Sequence, residues 1–177
     1  TTRRGRIAGR LSGGEVSPEG ADVVLLTQRP GLPPRSTAVE AVAMVTRDKV
    51  RAQELLAAAG LHELADVPVP ALSGGQAAHV ALVRALAARP AVLIVDEPLA
   101  AVDVKSAERW RRFLHAARAD RTTLLVTHDA LDIAHLAQDM LVMESGQVRA
   151  HGATARLLEA PPTGFVAALA GLNRLEG

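Results

Sequence analysis

Apolar positions along the 177-residue chain fall into two kinds of run. Short β-branched stretches predict buried strands at Ala21 to Leu26 (ADVVLL), Ala91 to Val95 (AVLIV) and Thr122 to Val126 (TTLLV). Continuous apolar runs of this length suit a parallel sheet covered by helices on both faces. Between them the apolar residues recur at helical spacing. Thr37 to Met44 and Asp48 to Ala59 predict helices, the second ended by Gly60, and Leu61 to Ala65 predicts a further turn. Ala77 to Ala88 predicts a helix with Val80, Val83 and Ala87 on one face, stopped ahead of Pro90. Lys105 to Ala119 predicts an amphipathic helix and Ala130 to Ala137 a short one. Met140 to Met143 and Gln147 to Ala150 flank Glu144-Ser145-Gly146 and predict a hairpin. A C-terminal helical region is broken at Pro161-Pro162. RPGLPPR at 29–35 excludes helix and central strand, and VPVP at 67–70 predicts an extended linker. The order of elements predicts an α/β fold with a largely parallel core sheet and a helical insertion at about 37–70.

Composition narrows the function. Apolar residues at 49% and charged residues at 22% exclude wholesale disorder. Trp110, Phe113 and Phe165 are the only aromatics, so Leu, Val and Ala must pack the core. Twenty basic against 19 acidic residues leave a net charge of +1, which gives no electrostatic case for nucleic-acid binding. With no Cys, disulfides, thiolate metal sites and Cys nucleophiles are excluded. Thr1 to Arg10 is basic, but no apolar stretch follows it as in a signal peptide. No run of about 18 apolar residues exists to span a bilayer, so a membrane role is expected to be peripheral, through a partner.

The chemistry gathers at strand ends. In open α/β sheets ligands sit beyond the carboxyl ends of the strands. Here those ends carry Gln28 after the first run, Asp96 and Glu97 after the second, and His128 after the third. An amide, a carboxylate pair and an imidazole suit a metal–phosphate site. Asp96 can hold Mg²⁺, Glu97 can orient or deprotonate a water, Gln28 can bridge metal and water, and His128 can donate to charge developing on a γ-phosphate. Leu72-Ser73-Gly74-Gly75-Gln76 adds an anion-binding element: two glycines admit close backbone approach, Ser73 brings a hydroxyl, and the following helix presents free N–H groups. A second LSGG, at 11–14, reads as a glycine turn. The histidines His62, His79, His115, His135 and His151 read as solvated or capping, and Arg109, Arg111 and Arg112 as a solvated helix face. Asp103 can also cap the helix that follows it.

LSGGQ at 72–76, VALVRALAARP at 80–90, AVLIVDEP at 91–98, AAVD at 100–103 and LLVTHD at 124–129 resemble the ATPase subunits of ABC transporters. The resemblance implies the P-loop NTPase-like fold of that family, a mostly parallel sheet flanked by helices, with a helical subdomain at about 37–90 split from the core sheet. It implies ATP and Mg²⁺ as ligands. Leu72, Ser73, Gly74, Gly75 and Gln76 then form the signature motif, Asp96 is the Walker B aspartate, and Glu97 is the catalytic glutamate. Ala100 to Asp103 is the D-loop, His128 the H-loop histidine and Gln28 the Q-loop glutamine. It further implies a head-to-tail partner subunit with ATP between the two. A transmembrane permease would be contacted through the helical insertion, placing the chain in the cytoplasm at the inner face of the membrane. The end of the chain, GFVAALAGLNRLEG, resembles the end of the ATPase core in importer subunits for oxyanions, polyamines and sugars, most of all the molybdate/sulfate type.

Departures from the family pattern are equally definite. The P-loop, G-x-x-x-x-G-K-S/T, is not found, and the only lysines are Lys49 and Lys105. TTRRGRIAGR at 1–10 looks like the segment that follows the P-loop helix. Residues 1–177 are therefore expected to be a partial ABC ATPase domain, without the Walker A region or a C-terminal regulatory domain, and inactive alone. His79 stands where the family usually has Arg, Ala100 where the D-loop usually has Ser, and the interval before the signature is short. Two other readings remain: a non-catalytic docking or regulatory fragment of this fold, and a soluble family ATPase acting on DNA or ribosomes. The absence of sustained heptads between Gln28 and the signature opposes the chromosome-maintenance branch.

Overall fold

The computed structural model describes residues 22–27, 31–100, 102–118 and 121–171. Helix starts follow from capping residues. Thr37 and Glu40 form a reciprocal capping box at the start of α1 (Ala38–Thr46). The next two backbone donors of that helix, Ala38 and Val39, are met by the carbonyls of Val67 and Ala65 at 3.0 and 2.8 Å. This pairing recruits the 67–70 segment: Pro68 bridges to Thr37, and Val69–Ala71 closes a 3₁₀ turn in place of the simple extended linker expected. Asp48 caps α2 (Lys49–Ala58), Ser73 caps α3 (Gly74–Ala87) and Asp103 caps α4 (Val104–Ala116). Such caps each contribute about 1 kcal/mol.

The core sheet among the described residues is three-stranded and parallel, in the order β1 (Val23–Leu26), β2 (Val92–Asp96), β3 (Thr122–Val126). Leu26 pairs with Val95 and Asp96 with Val126, so the carboxyl ends of the strands align. The central strand β2 buries Leu93 and Val95. The third strand departs from expectation: it is mostly exposed, with Leu124 and Val126 each 54% accessible. It forms where predicted, but among the described residues it pairs on one side only, with β2.

Helices α1, α2 and α3 pack against one another, and α3 also packs on β1. That explains a second departure. From Val80 to Leu86 helix α3 buries Val80, Ala81, Leu82, Val83, Ala85 and Leu86, more than the one face read from its pattern. It begins at Gly74, ahead of the predicted Ala77.

The chain divides into two compact units, Thr1–Val126 and Thr127–Gly177. Within the second, α5 (Ala130–Leu136) precedes the hairpin β4 (Asp139–Glu144) and β5 (Gln147–Ala153). The hairpin turns at Ser145 (φ 52°) and Gly146 (φ 73°), the backbone of a type I′ turn. α6 (Thr154–Glu159) and α7 (Gly164–Leu169) pack together on either side of Pro161-Pro162.

Candidate functional site

The first unit holds a cleft of about 360 Å³ whose lining includes Thr27, Gly74, Gly75, His79, Asp96 and Glu97. The end of β1, the end of β2 and the first turn of α3 thus open onto one space, as ligand sites in α/β sheets require.

At the end of β2 the backbone changes course within one residue. Asp96 is the last residue of the strand and is exposed. Glu97 has φ 43°, in the left-handed region. Its N–H donates to the Val126 carbonyl at 2.9 Å, and its own carbonyl accepts from Ala100 at 3.3 Å. Holding a non-glycine residue there costs of order 1–3 kcal/mol, a cost found most often at functional sites. The bonds to Val126 and Ala100 over-determine the conformation.

At the start of α3 the Ser73 hydroxyl accepts the Gln76 N–H at 3.2 Å, and the Gln76 side-chain oxygen accepts the Ser73 N–H at 2.9 Å. Gln76 is therefore spent on the cap. Ser73, while accepting, keeps its O–H proton as a donor. Gly74 and Gly75 occupy the first turn with no neighbour within 4 Å of where a Cβ would stand, and neither has positive φ. Glycine in a helix costs up to about 1 kcal/mol relative to alanine. The fold gains nothing from these two, but they leave bare N–H groups at the positive end of a 14-residue helix. Leu72 precedes the cap and is half-buried, anchoring the loop.

Asp103 caps α4 by accepting the Ser106 N–H at 3.1 Å. Hydrogen bonds from the Ser106 side chain and then from its N–H hold its carboxyl below the usual Asp range. His128 belongs to the second unit, in the exposed turn between β3 and α5. That turn is built by its neighbours: the Thr127 hydroxyl accepts the Asp129 N–H at 3.1 Å, and Asp129 caps α5 through the N–H groups of Leu131 and Asp132. Gln28 and the LSGG at 11–14 lie outside the described residues.

Two residues read as solvated are otherwise engaged. His79 is half-buried, stacked on Trp110 with ring centroids 4.6 Å apart and planes at 26°. The Arg109 guanidinium lies over Gly60. Both contacts join residues more than 30 positions apart, which periodicity does not encode. The one available signal was His79 itself, at a position where the family resemblance expects arginine.

Comparison with known proteins agrees with this geometry. The profile of the family described as "ABC transporter" matches residues 2–100, more than half of the 177. The Molybdenum import ATP-binding protein ModC of Mycobacterium tuberculosis is 42% identical over 133 residues, covering 74% of this chain and 36% of that protein. The Sulfate/thiosulfate import ATP-binding protein CysA of Synechococcus elongatus is 41% identical over 131 residues, covering 71% of this chain and 38% of that protein. The chain thus spans little more than a third of these curated relatives. A solved dimeric ATP-binding cassette, MJ0796, in a post-hydrolysis state bound to ADP and Pi, superposes with a TM-score of 0.65 at 28% identity, covering 75% of this chain and 62% of that one. Strand-end carboxylates, a bare glycine helix start and a sequence match running through both place the chain in one family: it belongs to the ABC transporter family.

Proposed function

We propose that this chain is the nucleotide-hydrolysing part of an ABC importer's ATPase subunit, cleaving ATP to ADP and phosphate to drive uptake of an oxyanion of the molybdate–sulfate class. The observation that carries the reading is the cleft shared by the strained Glu97, Asp96 and the unburdened glycines 74 and 75. The substrate class rests on the two oxyanion importers, which match this chain almost equally well.

Each residue then has a task. Ser73 O–H and the N–H groups of Gly74 and Gly75 donate to the γ-phosphate of a nucleotide held mainly by a second, head-to-tail subunit. Glu97 orients the attacking water and takes its proton. Gln28 helps orient that water, and His128 donates to the charge that develops on the γ-phosphate. Asp103 closes the partner-facing side. Among the described residues no group of three His, Cys, Asp or Glu could hold a metal ion. Mg²⁺ needs only one or two carboxylates when phosphates and water complete its shell, so the exposed Asp96 fits it. Bound there, Mg²⁺ supplies neutralisation of phosphate charge.

Among the described residues no helix is long and apolar enough to cross a membrane. The reading places the chain at the inner membrane face, docked to a transmembrane permease through the α1–α2 insertion, whose Met44 and Val50 are exposed apolar side chains. The test is Glu97→Gln in the full-length subunit. Nucleotide binding is expected to persist while turnover falls by about 10³-fold or more. Loss of binding with turnover intact in the bound fraction removes Glu97 from this role. A titration of these 177 residues alone, which contain no G-x-x-x-x-G-K-S/T, is expected to show weak ATP binding.

A further inference from the structure

Helix α4 grips two other helices through consecutive residues. Its Arg109 lies over the bare Cα of Gly60, the φ +74° residue that ends α2: a Cβ there would fall 2.7 Å or less from three atoms of the guanidinium group. Gly60 ends α2 with its N–H donating to Ala57 at 2.8 Å and that of Leu61 donating to Leu56 at 2.7 Å. A cation at this end is favoured by the helix dipole. Trp110, only 1% exposed, stacks on His79 of α3 and meets Phe113 edge-on at 5.5 Å. His79 follows Gly75 by four residues, one helical turn, and lines the same cleft as Gly75 and Glu97. Asp103, the cap of α4, lies about 10 Å along the helix from Trp110.

We propose that Arg109 and Trp110 are positioning residues that set the start of α3 against Glu97, Arg109 through Gly60 and Trp110 through His79. This rests on the function proposed above and adds to it a mechanical link from the D-loop cap to the signature glycines. Successive helical residues point about 100° apart, so one turn of α4 holds the end of α2 and the first turns of α3 together. A stacked aromatic pair adds to the stability that burial alone gives, and it acts here on the first turn of a helix whose glycines make it pliable. The charged groups around His79 are Arg109 from α4 and, lining the cleft, Asp96 and Glu97 from the end of β2. Burial first, and then Arg109, hold its pKa below the usual value, so the neutral ring is the resting form.

Trp110 is the only tryptophan, so its emission reads the stack directly. In this chain, Trp110 emission is expected to fall on acidification with a midpoint below 6.5, and His79→Gln is expected to abolish that step. In the full-length subunit, Arg109→Gln and Gly60→Ala are expected to lower kcat about tenfold with KM for ATP unchanged. Turnover of the wild type is expected to fall on acidification in step with the fluorescence, and His79→Gln to remove that acid-side fall. Emission independent of pH, or both variants turning over at the wild-type kcat, overturns the proposal. If the wild-type subunit shows no ATPase activity, the function proposed above fails. The fluorescence step and its loss in His79→Gln then decide the stack alone.

Discussion

The end of α2 and the start of α3 both place glycine at a helix boundary, and for opposite reasons. Gly60 serves the fold: its φ of +74° excludes most L side chains, and Arg109 occupies the space a Cβ would need. Gly74 and Gly75 serve nothing within the described residues, since their φ is ordinary and a methyl group would meet only open space. Under the proposed function these two glycines leave helix-start backbone open to a phosphate. The same contrast separates the left-handed residues. Arg47 ends α1 in a conformation common to helix caps, whereas Glu97 adopts it directly after a strand, on the rim of the cleft.

The largest expected effect comes from substituting one glycine of each kind. Gly75→Ala is expected to cut turnover of the full-length subunit by about 10²-fold or more, by displacing an anion from the helix N-terminus. Its chemical-denaturation midpoint is expected to hold or rise, by up to about 1 kcal/mol, because alanine is the better helix former. Gly60→Ala is expected to lose about 1–3 kcal/mol through left-handed strain and expulsion of Arg109. If Gly75→Ala proves as unstable as Gly60→Ala, the distinction between the two boundaries is gone.

A smaller effect sharpens the contrast at the left-handed positions. Glu97→Gly and Arg47→Gly are each expected to raise stability by about 1 kcal/mol, since glycine adopts positive φ without a steric cost. Only Glu97→Gly is expected to abolish turnover. Equal ATPase activity in the two variants would make Glu97 a turn residue like Arg47.

Much of this arrangement was legible in the residues, and for a physical reason: the legible parts are local. Thr37 and Asp48 stand at the predicted starts of their helices because each side chain bonds its own backbone within three residues, whereas Ser73 with Gln76 starts α3 ahead of the predicted Ala77. The apolar runs of β1 and β2 also read correctly, because a buried strand is itself a local run, and Asp96-Glu97 marks where the second ends. Exposure was not legible. TTLLV predicts a covered strand, but its covering is a matter of which elements flank β3, and among the described residues only β2 does. Nor were the grips of α4: Arg109 in a run with Arg111 and Arg112 has the pattern of a solvated face, and only the arrival of Gly60 against it shows otherwise.

The smallest effect joins the two boundaries, because His79 ties the first turns of α3 to the helix that holds Gly60. Burial and Arg109 depress the His79 pKa below 6.5, so between its folded and unfolded values the unfolded chain binds more protons than the folded one. Stability from this residue is therefore complete above its unfolded value of 6.5 and declines as pH falls beneath it, levelling off once the folded-state pKa is passed. The chain holds five other histidines and 19 acidic residues, so the reading is a difference. Denaturant midpoints of the wild type and His79→Gln compared at about pH 7.5 and about pH 5.5 isolate the single group. Wild type is expected to lose more than the variant on acidification, because glutamine offers Trp110 a planar group with no proton to gain. A wild type that loses less than His79→Gln would mean that the imidazolium is welcome against Trp110, and that acidification does not loosen the hold of α4 on the start of α3.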